Sequence, residues 1–208
     1  MKDIKENSIK ILVVLLIISL FYNLKLLKDI REFKKEVNFQ YETKLHNINT
    51  ELYAVLKTMN TSISNNKIYI GENGIVKDYY ERDLRQVART FQDLSNLHNS
   101  PNSKAEFKKI NILPLGNILN SYSEFLDLLY KKNQNASEQY IDLVPNDLEG
   151  ISIIKETMSD LINIINSDEG KKDSLINILQ EFTNYSKSKE FEEKRLKIEE
   201  LNKALTQG

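Results

Sequence analysis

The chain has 208 residues, 28% of them charged, with 29 basic against 30 acidic side chains and a net charge of -1, so its overall field singles out neither nucleic acid nor an anionic surface as partner. It has no cysteine, which excludes disulfides, thiolate metal sites and lipid attachment through a thioether. Six glycines and three prolines are too few for a turn-rich sandwich or barrel, and the composition points to helices.

The first element is the most hydrophobic. Ile11 to Tyr22 reads ILVVLLIISLFY, and from Ile9 to Leu27 the strongly polar interruptions are Lys10, Asn23 and Lys25, with Ser19 inside. A bilayer span takes about 20 helical residues. Lysines near both ends can lay their stems along lipid while the ammonium groups reach water, so residues 9–27 are expected to contact the bilayer as one transmembrane helix. A cleaved signal peptide needs small residues at its exit, and Asn23-Leu24-Lys25-Leu26-Leu27-Lys28 supplies none. Basic residues stand on both sides, Lys2, Lys5 and Lys10 before the span and Lys25, Lys28, Arg31, Lys34 and Lys35 after it. The leading basic segment of a signal-anchor and the absence of cysteine favour an extracytoplasmic domain. Residues 1–27 are therefore read as a cytoplasmic tail plus anchor, in a single-pass cell-membrane protein.

Past the span the pattern continues with Ile30, Phe33, Val37, Tyr41, Leu45, Ile48, Leu52, Val55 and Met59, steps of three and four that mark one face of a helix. This predicts one continuous helix from about Ser8 to Asn60. Thr61 to Lys77 loses the period. Within it, Ile68-Tyr69-Ile70 and Ile75-Val76 flank Gly71-Glu72-Asn73-Gly74 and predict a minimal hairpin. A second helix follows over about 78–97 with Tyr80, Leu84, Val87, Phe91 and Leu94 inward. Ser103 with Glu106 gives a capping-box signature for a short helix to Asn111. Pro114 predicts a kink or break there. The main helix after it carries Leu115, Ile118, Leu119, Tyr122, Phe125, Leu126 and Leu129.

Residues 133–145 read as a loop with an apolar plug at Tyr140, Ile141, Leu143 and Val144. Pro145 then leads a helix to about Asn166 whose inner face is Leu148, Ile151, Ile154, Met158, Leu161, Ile162 and Ile165. Residues 173–186 repeat the pattern with Leu175, Ile178, Leu179, Phe182 and Tyr185. The stretch 187–208 differs in kind, with Phe191, Ile198, Leu201 and Leu205 forming a narrow stripe among charges. Its pairs Glu190/Lys194, Glu193/Lys197 and Glu199/Lys203 have the acid four residues before the base, which supports an exposed helix or one that meets a partner.

The fold expected is all-α: an antiparallel helical bundle of four to five helices over residues 28–186, its first helix continuous with the transmembrane segment, and a charged C-terminal helix at its edge.

Candidates for chemistry are few. The two histidines, His46 and His98, show no ligand spacing, and no serine stands in a nucleophile motif, so no catalytic residue, cofactor or metal ligand is expected and the chain is read as a non-enzyme. Arginine is scarce, five against twenty-four lysines, yet Arg82, Arg85 and Arg89 share one face of the second helix. Guanidinium forks suit carboxylate or phosphate, so these three are the candidate anion or partner contact. Against that, Asp78, Glu81 and Asp93 each stand four residues from one of them and can pair with it. The function expected is a membrane-anchored protein-binding or assembly module at the cell envelope, with a protein partner or a second copy and no nucleic acid. The alternative is an extracytoplasmic ligand-sensing bundle for an acidic small molecule.

Overall fold

A computed structural model describes residues 2–71, 75–97, 109–133, 139–167 and 174–207, with side chains described except at 2–11, 33, 34, 36–38, 75–78, 97 and 174. The described residues are helical apart from a short ribbon. In chain order the elements are α1 (Lys2–Asn65), β1 (Lys67–Tyr69), α2 (Ile75–Leu97), α3 (Leu113–Lys132), β2 (Tyr140–Asp142), α4 (Pro145–Ser167), α5 (Ser174–Tyr185) and α6 (Lys189–Gln207). The chain divides into two compact units, Met1–Thr43 and Lys44–Gly208.

In the first unit the described side chains from Leu12 to Leu27 are all exposed. Among the described residues no helix is long and apolar enough to cross a membrane. Starting at Leu12, an eighteen-residue stretch already takes in Lys25, Lys28 and Asp29. The expected span of 9–27 draws on Ile9, Lys10 and Ile11, whose side chains lie outside the described residues.

The second unit is a bundle whose core is built from the predicted stripes. Leu45, Ile48, Leu52, Val55 and Met59 of α1 are buried, as are Leu84, Val87, Phe91 and Leu94 of α2 and all seven inward residues of α3. Ile151, Ile154, Met158, Leu161, Ile162 and Ile165 of α4 join them, with Ile178, Leu179 and Phe182 of α5. Each such side chain contributes about 1.5–3 kcal/mol by leaving water, set against the entropy of ordering the chain.

Cross-helix contacts fix the directions. Lys44 meets Asp93 and Thr58 meets Tyr80, so α1 and α2 are antiparallel. Ser123 meets Arg85, and Gly116 lies against Ala88, so α3 runs against α2. Thr157 meets Tyr122 and Gly150 meets Phe125, so α4 runs against α3. The expected up-and-down bundle is therefore present in α1 to α4. α5 ends where α3 begins, as its Thr183 hydroxyl accepts from the Asn111 amide at 3.0 Å and Ser186 donates to the Asn111 carbonyl at 3.2 Å.

Helix ends follow local chemistry. Pro114 sits in the first turn of α3, where its missing donor is not needed, so it opens that helix and does not kink it. The Val144 amide donates to the buried Asp147 carboxylate at 3.2 Å, capping α4 behind Pro145. Ser188 accepts from the Phe191 amide at 3.1 Å and starts α6. The expected capping box at Ser103 and Glu106 and the short helix from 104 fall outside the described residues.

Two expectations are corrected. The predicted hairpin does not form, because Ile75 and Val76 begin α2. The strand Lys67–Tyr69 pairs instead with Tyr140–Asp142, antiparallel, in the register Lys67↔Asp142, Ile68↔Ile141, Tyr69↔Tyr140. What read as a loop plug is thus a strand. Ile68 and Ile141 face the core, while the Tyr69 and Tyr140 rings meet outside at 4.9 Å. The C-terminal helix is also more embedded than its narrow stripe implied. Phe191, Ile198 and Leu201 are buried against the chain's own bundle, and the Asn202 amide donates to the Ser121 carbonyl at 3.0 Å.

α2 and α3 approach closely at Gly116. A Cβ there would lie 2.9 Å from the Ala88 carbonyl oxygen and 3.3 Å from Gln92 Cγ. Gly116→Ala is expected to push the two helices apart at a cost of about 1–3 kcal/mol, less about 1 kcal/mol regained in helix propensity. A lowered urea midpoint with an unchanged slope is the expected result, and a midpoint at or above wild type rules the close contact out.

Candidate functional site

The three arginines singled out by sequence line one groove on α2. Arg82, Arg85, Arg89, Gln86 and Glu81 surround an open cavity of about 460 Å³. The helix forms here because Leu84, Val87, Ala88 and Phe91 are all buried, which leaves the arginine row on the solvent side. Between Arg82 and Arg89 the helix rises about 10 Å, so the guanidinium groups form a row and do not converge on one point.

Their partners differ from simple i,i+4 pairing. Arg85 does pair with Glu81, Nη2 to Oε2 at 3.3 Å, and its Nε also donates to Ser123 Oγ of α3 at 2.8 Å. Two bonds from two helices therefore fix this guanidinium. Arg82 meets Asp83 at 3.4 Å and stands 4.9 Å over the Tyr79 ring, an arrangement that adds cation–π attraction. The Asp78 side chain lies outside the described residues. Arg89 makes no ion pair among the described residues, because its expected partner Asp93 turns to Lys44 of α1 at 3.5 Å. Nearby on α1, burial and then the Asp83 carboxylate hold Glu51 above the usual carboxylate range, with Arg82 acting the other way.

A second polar cluster, which sequence reasoning missed, joins α4, α5 and α6. Lys194 is buried, and its Nζ donates to Glu190 at 2.6 Å and Asp160 at 2.8 Å, with Glu156 at 3.9 Å. The Tyr185 hydroxyl donates to the same Asp160 oxygen at 2.9 Å. Deeper in, the Tyr122 and Thr157 hydroxyls share a hydrogen bond of 2.6 Å. Burial, then the Asp160 carboxylate, raises the Tyr185 phenol, and burial raises Tyr122 against the opposing Thr157 bond. For Lys194 burial favours the neutral amine, but its bonds to Asp160 and Glu190 outweigh this and the ammonium is held more firmly than usual. The available signal was the Glu190/Lys194 spacing, which reads equally well as an exposed pair.

Other sequence candidates are not brought together. His46 is exposed and His98 lies outside the described residues. Among the described residues no group of three or more histidine or acidic side chains is placed to hold a metal ion. No protein-family model, curated protein or solved structure matches the chain.

Proposed function

We propose that this chain is a single-pass membrane-anchored helical bundle that acts as a protein-binding or assembly module at the cell envelope, with the bundle outside the cytoplasm and no catalytic role for any residue. The observation that carries the anchor is the uncovered apolar stretch at the start of α1. Thirteen large apolar side chains between Leu12 and Leu27 are each 48–73% exposed, interrupted by Ser19, Asn23 and Lys25, and they face all around the helix. A helix that packs on one partner needs one apolar stripe. One that is apolar on every side fits a surrounding hydrocarbon phase, and a patch this large is costly in water.

Two details agree with that solvent. Residues 9–27 rise about 29 Å as a helix, close to the hydrocarbon thickness of about 30 Å. Asn23 and Ser19, polar groups within the stretch, face each other at 3.5 Å, which reduces their demand for water. The module reading draws on the remainder: a bundle fixed by tight helix contacts that presents polar faces, with an open cavity lined by α2.

Detergent phase partition of the full chain tests the anchor. Wild type is expected in the detergent phase, and Leu15→Lys with Ile18→Lys in the aqueous phase, since each lysine at a span centre costs about 2.5–3.5 kcal/mol. Wild type in the aqueous phase overturns the anchor. Protease added to intact cells is expected to degrade the bundle, and its survival places it inside.

A further inference from the structure

We infer that the arginine groove of α2 is the docking site for a carboxylate-bearing segment of a partner protein, an acidic peptide in which successive Glu or Asp side chains meet Arg82, Arg85 and Arg89. This rests on the reading of the chain as a protein-binding module and names the chemistry that module recognises.

The groove is built in parts with different duties. Arg85 is held by Glu81 and by Ser123 across the α2–α3 interface while half of its side chain stays exposed, so its other N–H donors can be met at little further entropic cost. Arg82 is steadied by the Tyr79 ring and, among the described residues, meets Asp83 at 3.4 Å. Arg89 holds its charge with no ion pair among the described residues, at the end of the row where Asp93 has been drawn off by Lys44. The helix thus carries one fixed fork, one stacked fork and one open fork.

This layout favours carboxylates over phosphate. A phosphate dianion is met best by several donors that converge on one point, commonly with backbone N–H groups at a helix N-terminus. Here the donors lie in mid-helix, spread over about two turns, and Glu81 and Asp83 beside them reduce the net positive charge. Singly charged carboxylates spaced along a chain match such a row one by one, each open to a fork. The wide mouth of the groove also suits an extended segment better than an enclosed small acid.

The test uses the full chain in neutral detergent and a fluorescein-labelled hexaglutamate peptide, read by anisotropy at low salt. Wild type is expected to bind, with affinity that falls as salt rises. Arg82→Gln with Arg89→Gln is expected to raise Kd at least tenfold. Arg82→Lys with Arg89→Lys, which keeps the charge and removes the forks, is expected to raise it at least threefold. Equal Kd for wild type and the glutamine pair, with helix content unchanged, overturns the inference. So does inorganic phosphate, or a phosphatidylglycerol vesicle, that binds the groove more tightly than the peptide does, since either assigns it to phosphate. Chemical crosslinking of wild type and the glutamine pair in intact cells separates the two readings. Capture of the same protein or second copy by both variants removes the groove alone, whereas no capture by either removes the module.

Discussion

Replacing Gly150 by alanine is expected to cost the bundle about 3 kcal/mol of folding free energy, the upper end for overpacking a core. Gly150 lies in α4 directly under the ring of Phe125 in α3, and a Cβ there would stand 2.7 Å from both Cε atoms and closer still to Cζ. Phe125 is 1% exposed, so its ring has no free space to turn into. Either α3 and α4 separate or Phe125 leaves its rotamer, and each response disturbs neighbours packed at crystal-like density. Against a total stability of roughly 5–15 kcal/mol this is a large fraction. Urea unfolding of Gly150→Ala, Phe125→Leu and the double variant measures it. The alanine is expected to cost at least 1.5 kcal/mol less when residue 125 is leucine, as contacting sites couple. Strict additivity would show that the ring and the glycine do not meet.

Stability is also expected to collapse as pH rises above about 10. Tyr122 and Tyr185 have phenols pushed above the ordinary tyrosine range, mainly by burial. Below pH 10 both are protonated folded or unfolded and contribute nothing to the pH dependence. Above it the unfolded chain releases those protons and the folded one keeps them, so each removes about 1.4 kcal/mol per pH unit. Lys194 acts in the same direction. Its raised value means that its contribution is complete below the ordinary lysine pKa of about 10.4 and is lost as pH climbs through the folded value. Together the two tyrosines give a slope of about 2.7 kcal/mol per unit, and Lys194 adds to it over the narrower window between its unfolded and folded values. Circular dichroism at 222 nm and phenolate absorbance at 295 nm, followed through one alkaline titration, are expected to show two tyrosines that ionise only with loss of helix. All ten tyrosines titrating while the helices persist would refute this.

Most of the bundle is legible in the sequence because its helices are bounded by local signals and their stripes have one period. Leu45 to Met59, Leu115 to Leu129 and Ile151 to Ile165 could be placed inside from spacing alone, and they are inside. What could not be read is what depends on a distant residue. Lys67–Tyr69 had a nearby candidate in Ile75-Val76, and nothing local reveals that Tyr140–Asp142 takes its place. The burial of α6 likewise depends on the faces that α3 and α4 leave open, and a stripe of four apolar residues does not encode that. The arginine row was visible as a row, but its pairing was not. The expected Asp93 partner of Arg89 was lost to Lys44, and Ser123, a residue with no motif, orients Arg85.

The strand pair carries a consequence for how an incomplete chain behaves. Its two members are more than seventy residues apart, and bringing such distant points together costs roughly 4 kcal/mol of loop entropy. Three facing residue pairs cannot offset that unaided, so the ribbon closes only when α2 and α3 are already seated. A truncated or half-assembled molecule therefore leaves Ile68 and Ile141 uncovered and their backbone edges open, a surface that other extended chains adhere to. The two three-residue strands thus act as a seal that covers Ile68 and Ile141 only in the assembled fold.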